Sequence, residues 1–266
     1  MGELRVKLRG LLSSAANFLF PRRCLLCGEV LSFYSDSALC PECRESYEAE
    51  LAKSCPACGN EFRSCRCSVK RFRSFNQTGH TALGFYRTYD DSVGRLVYRL
   101  KREYDRDLQK FFARALADRL KEDLGEAVAE YTVTYPPRGK KALRRYGFDQ
   151  SEGVSRLTAG YLGCDWERLF VRTGGVTQKK LSYRGRQENA AEAFSLEEGA
   201  QVRGRKFIVI DDVITTGATV GALCDILIEK GAAAVYPAAL FLTAPKAPEA
   251  SKVPELKDEG LWFEED

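Results

Sequence analysis

Phe207-Ile208-Val209-Ile210-Asp211-Asp212-Val213-Ile214-Thr215-Thr216-Gly217-Ala218-Thr219 is the stretch on which the fold turns. Its four leading apolar residues read as a central strand, because a parallel strand covered on both faces is apolar without interruption. Two carboxylates, Asp211 and Asp212, follow directly. After a short Thr/Gly loop comes a helix carrying Val220, Leu223, Leu227 and Ile228, stopped at Gly231. This order sets the loop beyond the carboxyl end of the sheet, where a helix N-terminus offers unpaired N–H groups and a favourable dipole to an anion. Thr215, Thr216 and Thr219 add hydroxyls, Gly217 lets the backbone approach closely, and Val213 and Ala218 complete the turn. The expectation is a cradle for one phosphate monoester. Asp211 and Asp212 would accept hydrogen bonds from the vicinal hydroxyls of the attached sugar. An ordinary Asp-rich turn would account for the apolar run but not for two acids followed by Thr-Thr-Gly-x-Thr. Neither G-x4-G-K-[ST] nor a G-x-G-x-x-G after a strand occurs, which argues against other phosphate-binding loops.

From Thr81 onward, apolar strands alternate with amphipathic helices. The clearest helix begins near Asp105 and sets Leu108, Phe111, Phe112, Ala115, Leu116 and Leu120 on one face. Strands are expected at 83–86, 131–135, 169–172, 207–210 and 234–242. Helices between them imply right-handed crossovers, hence an α/β domain with a mainly parallel sheet flanked by helices.

Upstream, eight of the ten cysteines fall in one short segment as Cys24-x2-Cys27, Cys40-x2-Cys43, Cys55-x2-Cys58 and Cys65-x-Cys67. A C-x2-C knuckle turns two thiolates to one point, and two knuckles complete the four-sulfur shell that Zn2+ prefers, so two structural zinc ions are expected. A disulfide framework needs an oxidising compartment and spreads its cysteines to staple distant loops. Which pairs share an ion is open at this level; sequential pairing is the simplest. After Cys58, across and beyond the last knuckle, Arg63, Arg66, Lys70, Arg71 and Arg73 are interleaved with Phe62, Phe72 and Phe75. Such a run suits single-stranded nucleic acid, and equally a solvated ribbon surface.

The whole chain bounds these readings. With 266 residues and a formal charge of +4 from 41 basic and 37 acidic residues, it can bury a sizeable core but is too balanced to be a nucleic-acid binder throughout. Its one histidine, His80, has no recognisable nucleophile partner and reads as structural. Residues 4–20 superficially resemble a secretion signal. The stripe is broken by Ser13, Ser14 and Asn17 and ends at Pro21 without a small-residue cleavage site, so a terminal amphipathic helix is expected instead. No stretch is long and apolar enough to be a transmembrane segment, and a cytoplasmic location is expected. The resulting division is 1–20 as an amphipathic segment, 21–75 as a double zinc ribbon, and 76–266 as the α/β domain.

At Asp211 to Thr219 the sequence resembles the 5-phosphoribosyl-1-pyrophosphate (PRPP) motif of type I phosphoribosyltransferases. The wider pattern resembles the ComF competence family, which joins a double zinc ribbon to such a domain. The resemblance covers the knuckles after Phe20-Pro21, Leu100-Lys101, the stretch from Arg144 to Gln150, and Gln178-x2-Leu181-x4-Arg186-x2-Asn189-x4-Phe194. It implies that Asp211 and Asp212 face the ribose and that Val213 and Thr215 to Thr219 hold the 5-phosphate. It also implies that Pro136 and Arg138 approach pyrophosphate, with Lys179, Lys180 and Arg186 on a loop that closes over it. The turn at Thr134-Tyr135-Pro136, and Tyr146 and Asp149, depart from the family's usual residues.

Two functions follow from the resemblance. One is transfer of the phosphoribosyl group with Mg2+, in which the protein orients and stabilises and needs no nucleophile of its own. The other is non-catalytic handling of single-stranded DNA with the DNA-uptake machinery, the PRPP pocket serving in sensing or in phosphate binding.

Overall fold

The computed structural model describes residues 21–32, 35–67, 79–173 and 193–246. At its centre is Lys206–Ile214 (β6), flanked in a five-stranded sheet by Thr81–Tyr86 (β1), Tyr131–Thr134 (β2), Asp165–Trp166 (β3) and Ala234–Thr243 (β7) in the order β1-β7-β6-β2-β3. Every pairing is parallel, with Ile208 opposite Val133 on one side and Tyr236 on the other. Phe207 to Ile210 are fully buried. Phe207 and Val209 join the apolar cluster on one face, Ile208 and Ile210 the cluster on the other, which is why the strand reads as unbroken hydrophobics rather than an alternation.

Helices cover both faces. Ser92–Arg102 (α2), Arg106–Leu124 (α3) and Gln150–Leu162 (α5) share one cluster, while Ala218–Glu229 (α6) lies in the other. Each of the three on the first face starts on an aspartate whose carboxylate caps the first turn. Asp91 accepts from Gly94 N, Asp105 from Asp107 N and Leu108 N, and Asp149 from Ser151 N and Glu152 N. The expected face of α3 is confirmed at Leu108, Phe112, Leu116 and Leu120, all fully buried, with Phe111 partly covered.

One strand expectation is corrected. Phe170–Arg172 (β4) does not enter the main sheet but pairs antiparallel with Phe194–Leu196 (β5) as a separate ribbon. Only three residues separate β3 from β4, too few for the crossover that a parallel neighbour requires. Asp165–Trp166, two residues long, is the edge strand instead.

The cysteine segment grips the sheet at β1. Pro41–Ala52 (α1) starts with proline in its first turn, directly after Cys40. Cys24, Leu25, Leu39, Cys40 and Tyr47 belong to the cluster of α2 and α3, whereas Cys55 and Cys65 belong to that of α6. Phe62 meets the Phe85 ring edge-on at 4.8 Å, and Arg63 pairs with Glu122 on α3. Arg87 donates to the carbonyls of Lys53 and Ser54, at 2.9 and 2.6 Å. The exposed edge of β1 is thereby covered, which removes a template for unwanted strand pairing.

Candidate functional site

The eight knuckle cysteines form two groups, Cys24/Cys27/Cys40/Cys43 and Cys55/Cys58/Cys65/Cys67, with all sulfurs of a group within 4.8 Å of one another. Cys27 and Cys40 sulfurs stand 3.8 Å apart and those of Cys58 and Cys65 3.7 Å. Four sulfurs at ~2.3 Å from one tetrahedral ion are separated by about 3.8 Å, whereas a disulfide needs about 2 Å. The sequential pairing of knuckles therefore holds, and these are two four-cysteine zinc-binding sites. Burial opposes ionisation of Cys24, but N–H groups of Cys27, Cys40 and Leu26 outweigh it and pull the thiol down to about 6. Burial, together with the sulfurs of Cys40, Cys27 and Cys24, pushes Cys43 up. A dication held by these four sulfurs would let all of them ionise.

The second feature lies at the carboxyl ends of β2 and β6. From β2 the chain proceeds outward to β3, and from β6 it proceeds the other way to β7, so a crevice opens where the two directions part. A cavity of about 660 Å³ occupies it. Its walls are the turn Pro136 to Gly139 after β2, the short helix Lys140–Tyr146 (α4), the start of α5, Arg172 and Thr173, and Asp211 and Thr219 from the β6–α6 junction. Gly217 precedes α6 with φ +83°, a left-handed conformation that glycine adopts without strain. Thr216 Oγ1 accepts from Ala218 N at 3.4 Å, which fixes the turn.

The two acids occupy different places. Asp211 lines the cavity, half-buried. Asp212 is 7 % exposed and turned toward α2 and α5, where Lys101 Nζ lies 3.1 Å from Oδ1 and Gln150 Nε2 donates to Oδ2 at 2.7 Å. The Val213 N–H donates to Asp212 Oδ1 at 2.6 Å, and the Asp212 N–H to Asp211 Oδ1 at 2.8 Å. Burial, reinforced by the neighbouring Asp212 charge, pushes the Asp211 carboxyl up to about 7. Burial alone would lower Lys101, but the charges of Asp212 and Asp211 outweigh it and raise it.

The opposite wall is built around Arg138 and Asp149. Arg138 donates its N–H to Asp149 Oδ2 at 2.6 Å, and its guanidinium to the carbonyls of Phe148 at 3.1 Å and Lys101 at 2.7 Å. The same guanidinium lies 4.5 Å from the Tyr146 ring centre and 5.6 Å from that of Phe148. Lys140, Lys141, Arg145 and Arg172 add four cations to the lining. Among the described residues, none of the four pairs with a carboxylate. The lining on this side is therefore rich in positive charge and suited to an anion.

Of the residues singled out from sequence, Pro136, Arg138, Asp211 and Thr219 line this cavity together. Val213, Thr215, Thr216, Gly217 and Ala218 form the adjoining turn, and Asp212 stands behind it. Lys179, Lys180 and Arg186 lie outside the described residues, as do the basic-aromatic run from Lys70 to Phe75 and residues 1–20. His80 sits at the entry to β1, far along the strand from the cavity end, where burial lowers its pKa. Lys101, Asp149 and Gln150 were missed as site residues. All three lie in stretches that carry the family resemblance, Leu100-Lys101 and Arg144 to Gln150, but that resemblance gave them no role in the site.

Comparison with known proteins agrees with both halves. The description "Double zinc ribbon domain" matches residues 15–70 and "Phosphoribosyl transferase domain" residues 168–260. The class is thus a double zinc ribbon joined to a phosphoribosyltransferase-type domain. The chain is 29% identical over 225 residues to "DNA utilization protein YhgH" of Salmonella typhi, covering 81% of this chain and 94% of that protein. It is 27% identical over 223 residues to "Competence protein ComFC" of Streptococcus pneumoniae, covering 79% and 95%. A shorter stretch of 76 residues is 40% identical to an adenine phosphoribosyltransferase of Mycobacterium tuberculosis, 28% of this chain and 35% of that one. The chain thus carries both domains, and the relatives it resembles over most of its length are proteins named for DNA utilization and competence. Among the described residues no helix is long and apolar enough to cross a membrane.

Proposed function

We propose that the cavity binds PRPP with Mg2+ and serves transfer of its phosphoribosyl group to a nitrogen nucleophile. The single observation that carries this reading is the convergence, on one cation-lined cavity, of Asp211 and Thr219 from the β6–α6 junction with Arg138 from the turn after β2. In it, Val213 and Thr215 to Thr219 seat the 5-phosphate at the N-terminus of α6, where N–H groups and the dipole favour it. Asp211 accepts from the ribose hydroxyls. The diphosphate extends toward Pro136 and Arg138, with Lys179, Lys180 and Arg186 closing over it. Gln150 Oε1, buried and without a partner among the described residues, is a further acceptor on this wall.

Breaking the bond between C1 and pyrophosphate moves negative charge onto the departing diphosphate and positive charge onto the ribose ring. Fixed cations on the first and a carboxylate beside the second lower the barrier without covalent participation. Magnesium entering with PRPP would supply charge neutralisation, with Asp211 the carboxylate placed to meet it. Paired thiolates held for zinc suit a reducing compartment and support a cytoplasmic location. We also take 1–20, 21–75 and 76–266 as the three functional segments.

A second reading, handling of single-stranded DNA, is favoured by one specific feature. Tyr89, Tyr98 and Tyr104 are 64%, 42% and 69% exposed, and Arg102 lies 4.0 Å over the Tyr98 ring. Tyr104 in turn meets Phe148 at 5.7 Å, beside the cavity. Exposed rings beside guanidinium groups suit stacked bases and their phosphates. The names of the relatives, DNA utilization and competence, point the same way.

Calorimetry with PRPP and Mg2+ tests the first reading, by comparing the unaltered chain with Asp211→Asn. Binding that is weakened by the substitution is expected; no heat in either protein sinks it. For the second, an oligonucleotide titration over a range of salt is compared with Tyr98→Ala/Arg102→Ala. Unchanged affinity and salt slope would remove that surface from consideration.

A further inference from the structure

Lys101 stands at the junction of everything that shapes the cavity, yet the phosphate-loop reading gives it no role. Its ammonium meets Asp212 Oδ1 at 3.1 Å, and its carbonyl accepts from the Arg138 guanidinium at 2.7 Å. One residue therefore fastens both walls, the end of β6 and the turn after β2, to helix α2. The helix itself is fixed independently. Asp91 caps its start, Ser92 Oγ donates to the Ser46 carbonyl of α1 at 3.0 Å, and Arg99 donates to the Leu25 carbonyl of the first knuckle at 2.6 Å.

The other side of the contact explains what the lysine does. Asp212 is buried, and its two oxygens accept from three groups of the chain itself: Lys101 Nζ, Gln150 Nε2 and the Val213 N–H. Little acceptor capacity is left to offer a ligand. It also does not line the cavity, whereas Asp211 does. A buried carboxylate left without its cation is costly and repels any anion brought beside it.

We infer that Lys101 is a positioning residue of the PRPP cavity: it holds the Asp212 carboxylate, neutralised, inside the sheet edge, so that Asp211 alone of the two acids meets the ligand. The inference rests on the PRPP reading of that cavity. It assigns the acid pair two unlike jobs, one acid facing the ribose and the other a strut. It also makes Lys101 act through Asp212 rather than by touching phosphate.

The test is a charge-suppression series, with PRPP–Mg2+ affinity measured by calorimetry for the unaltered chain, Lys101→Met, Lys101→Arg, Asp212→Asn and the Lys101→Met/Asp212→Asn double variant. Thermal unfolding of each is followed in parallel. Lys101→Met is expected to lose at least tenfold in affinity, because it strands the buried acid. The double variant, neutral again, is expected to return to within about threefold of the unaltered chain, and Lys101→Arg to stay close to it. If Lys101 instead contacts the ligand, the double variant remains as weak as Lys101→Met, and the inference is overturned. Lys101→Met binding as tightly as the unaltered chain overturns it equally. Should the unaltered chain not bind PRPP at all, the PRPP reading fails by itself. The unfolding midpoints then decide the Lys101–Asp212 coupling. A midpoint lowered by Lys101→Met and restored by adding Asp212→Asn upholds the strut, and independent, additive shifts reject it.

Discussion

Asp211→Asn should make the protein more stable while disabling its cavity, and the gain should depend on pH. The Asp211 carboxyl is raised from its ordinary value of 3.8 to about 7 by burial and by the adjacent Asp212 charge. A folded-state value above the unfolded one means that the folded chain holds this proton more tightly. Stability is therefore highest, as far as this group is concerned, where both states are protonated, below about pH 4. It falls as pH climbs from about 4 to 7 and levels off beyond, where both states are ionised. Raising the carboxyl from 3.8 to about 7 corresponds to about 4 kcal/mol at most. Because Asp211 borders an open cavity, water screens part of this, and roughly 1–3 kcal/mol is the expected cost. Asparagine carries no charge at any of these pH values. Urea unfolding of both proteins should thus give nearly equal stabilities at about pH 4. The variant should be ahead by that amount at about pH 8, with PRPP binding reduced at both. Curves that stay parallel across this range would refute the reasoning, since the two acids would then not be competing for charge.

Two other outcomes can be checked directly. Gly94→Ala should destabilise the chain by on the order of 3 kcal/mol in denaturant unfolding, since a Cβ there would fall 1.8 Å from the Thr88 carbonyl oxygen, a backbone atom that cannot step aside. Metal analysis should find two zinc equivalents per chain, falling to one in either Cys24→Ser or Cys55→Ser. Amide exchange should rise in α2 for the first variant and around β1 and α6 for the second, because the two groups are packed into opposite faces of the sheet.

What the sequence made legible follows from how local each signal is. The central strand, its acids, the loop and the helix after it lie consecutively, and burial on both faces writes itself as Phe-Ile-Val-Ile without interruption. The knuckles are equally local, since a C-x2-C pair must turn two sulfurs together wherever it occurs. The expected strand at 169–172, by contrast, had the right composition, but its partner was decided by the three-residue link from β3, which composition does not encode. The cavity's second wall was legible only in part. Arg138 was found, but Lys101, thirty-seven positions away, reaches the site through the packing of α2, and Gln150 through the capped start of α5.

The unlike fates of Asp211 and Asp212 show most clearly where a motif stops being informative. As text they are identical neighbours, and a pattern of two acids before a phosphate loop invites one shared role. A strand forces successive side chains to opposite faces, so two adjacent acids at its end cannot both face one cavity unless the strand breaks between them. It does not break: β6 runs through both acids to Ile214. One acid must then face the helices that cover the other side. A carboxylate in that position requires a cation and amide donors from those helices, and Lys101 of α2 and Gln150 of α5 meet that demand. The unbroken strand thus accounts for the unlike places of the two acids, and Lys101 from the covering helix answers the charge that it turns inward.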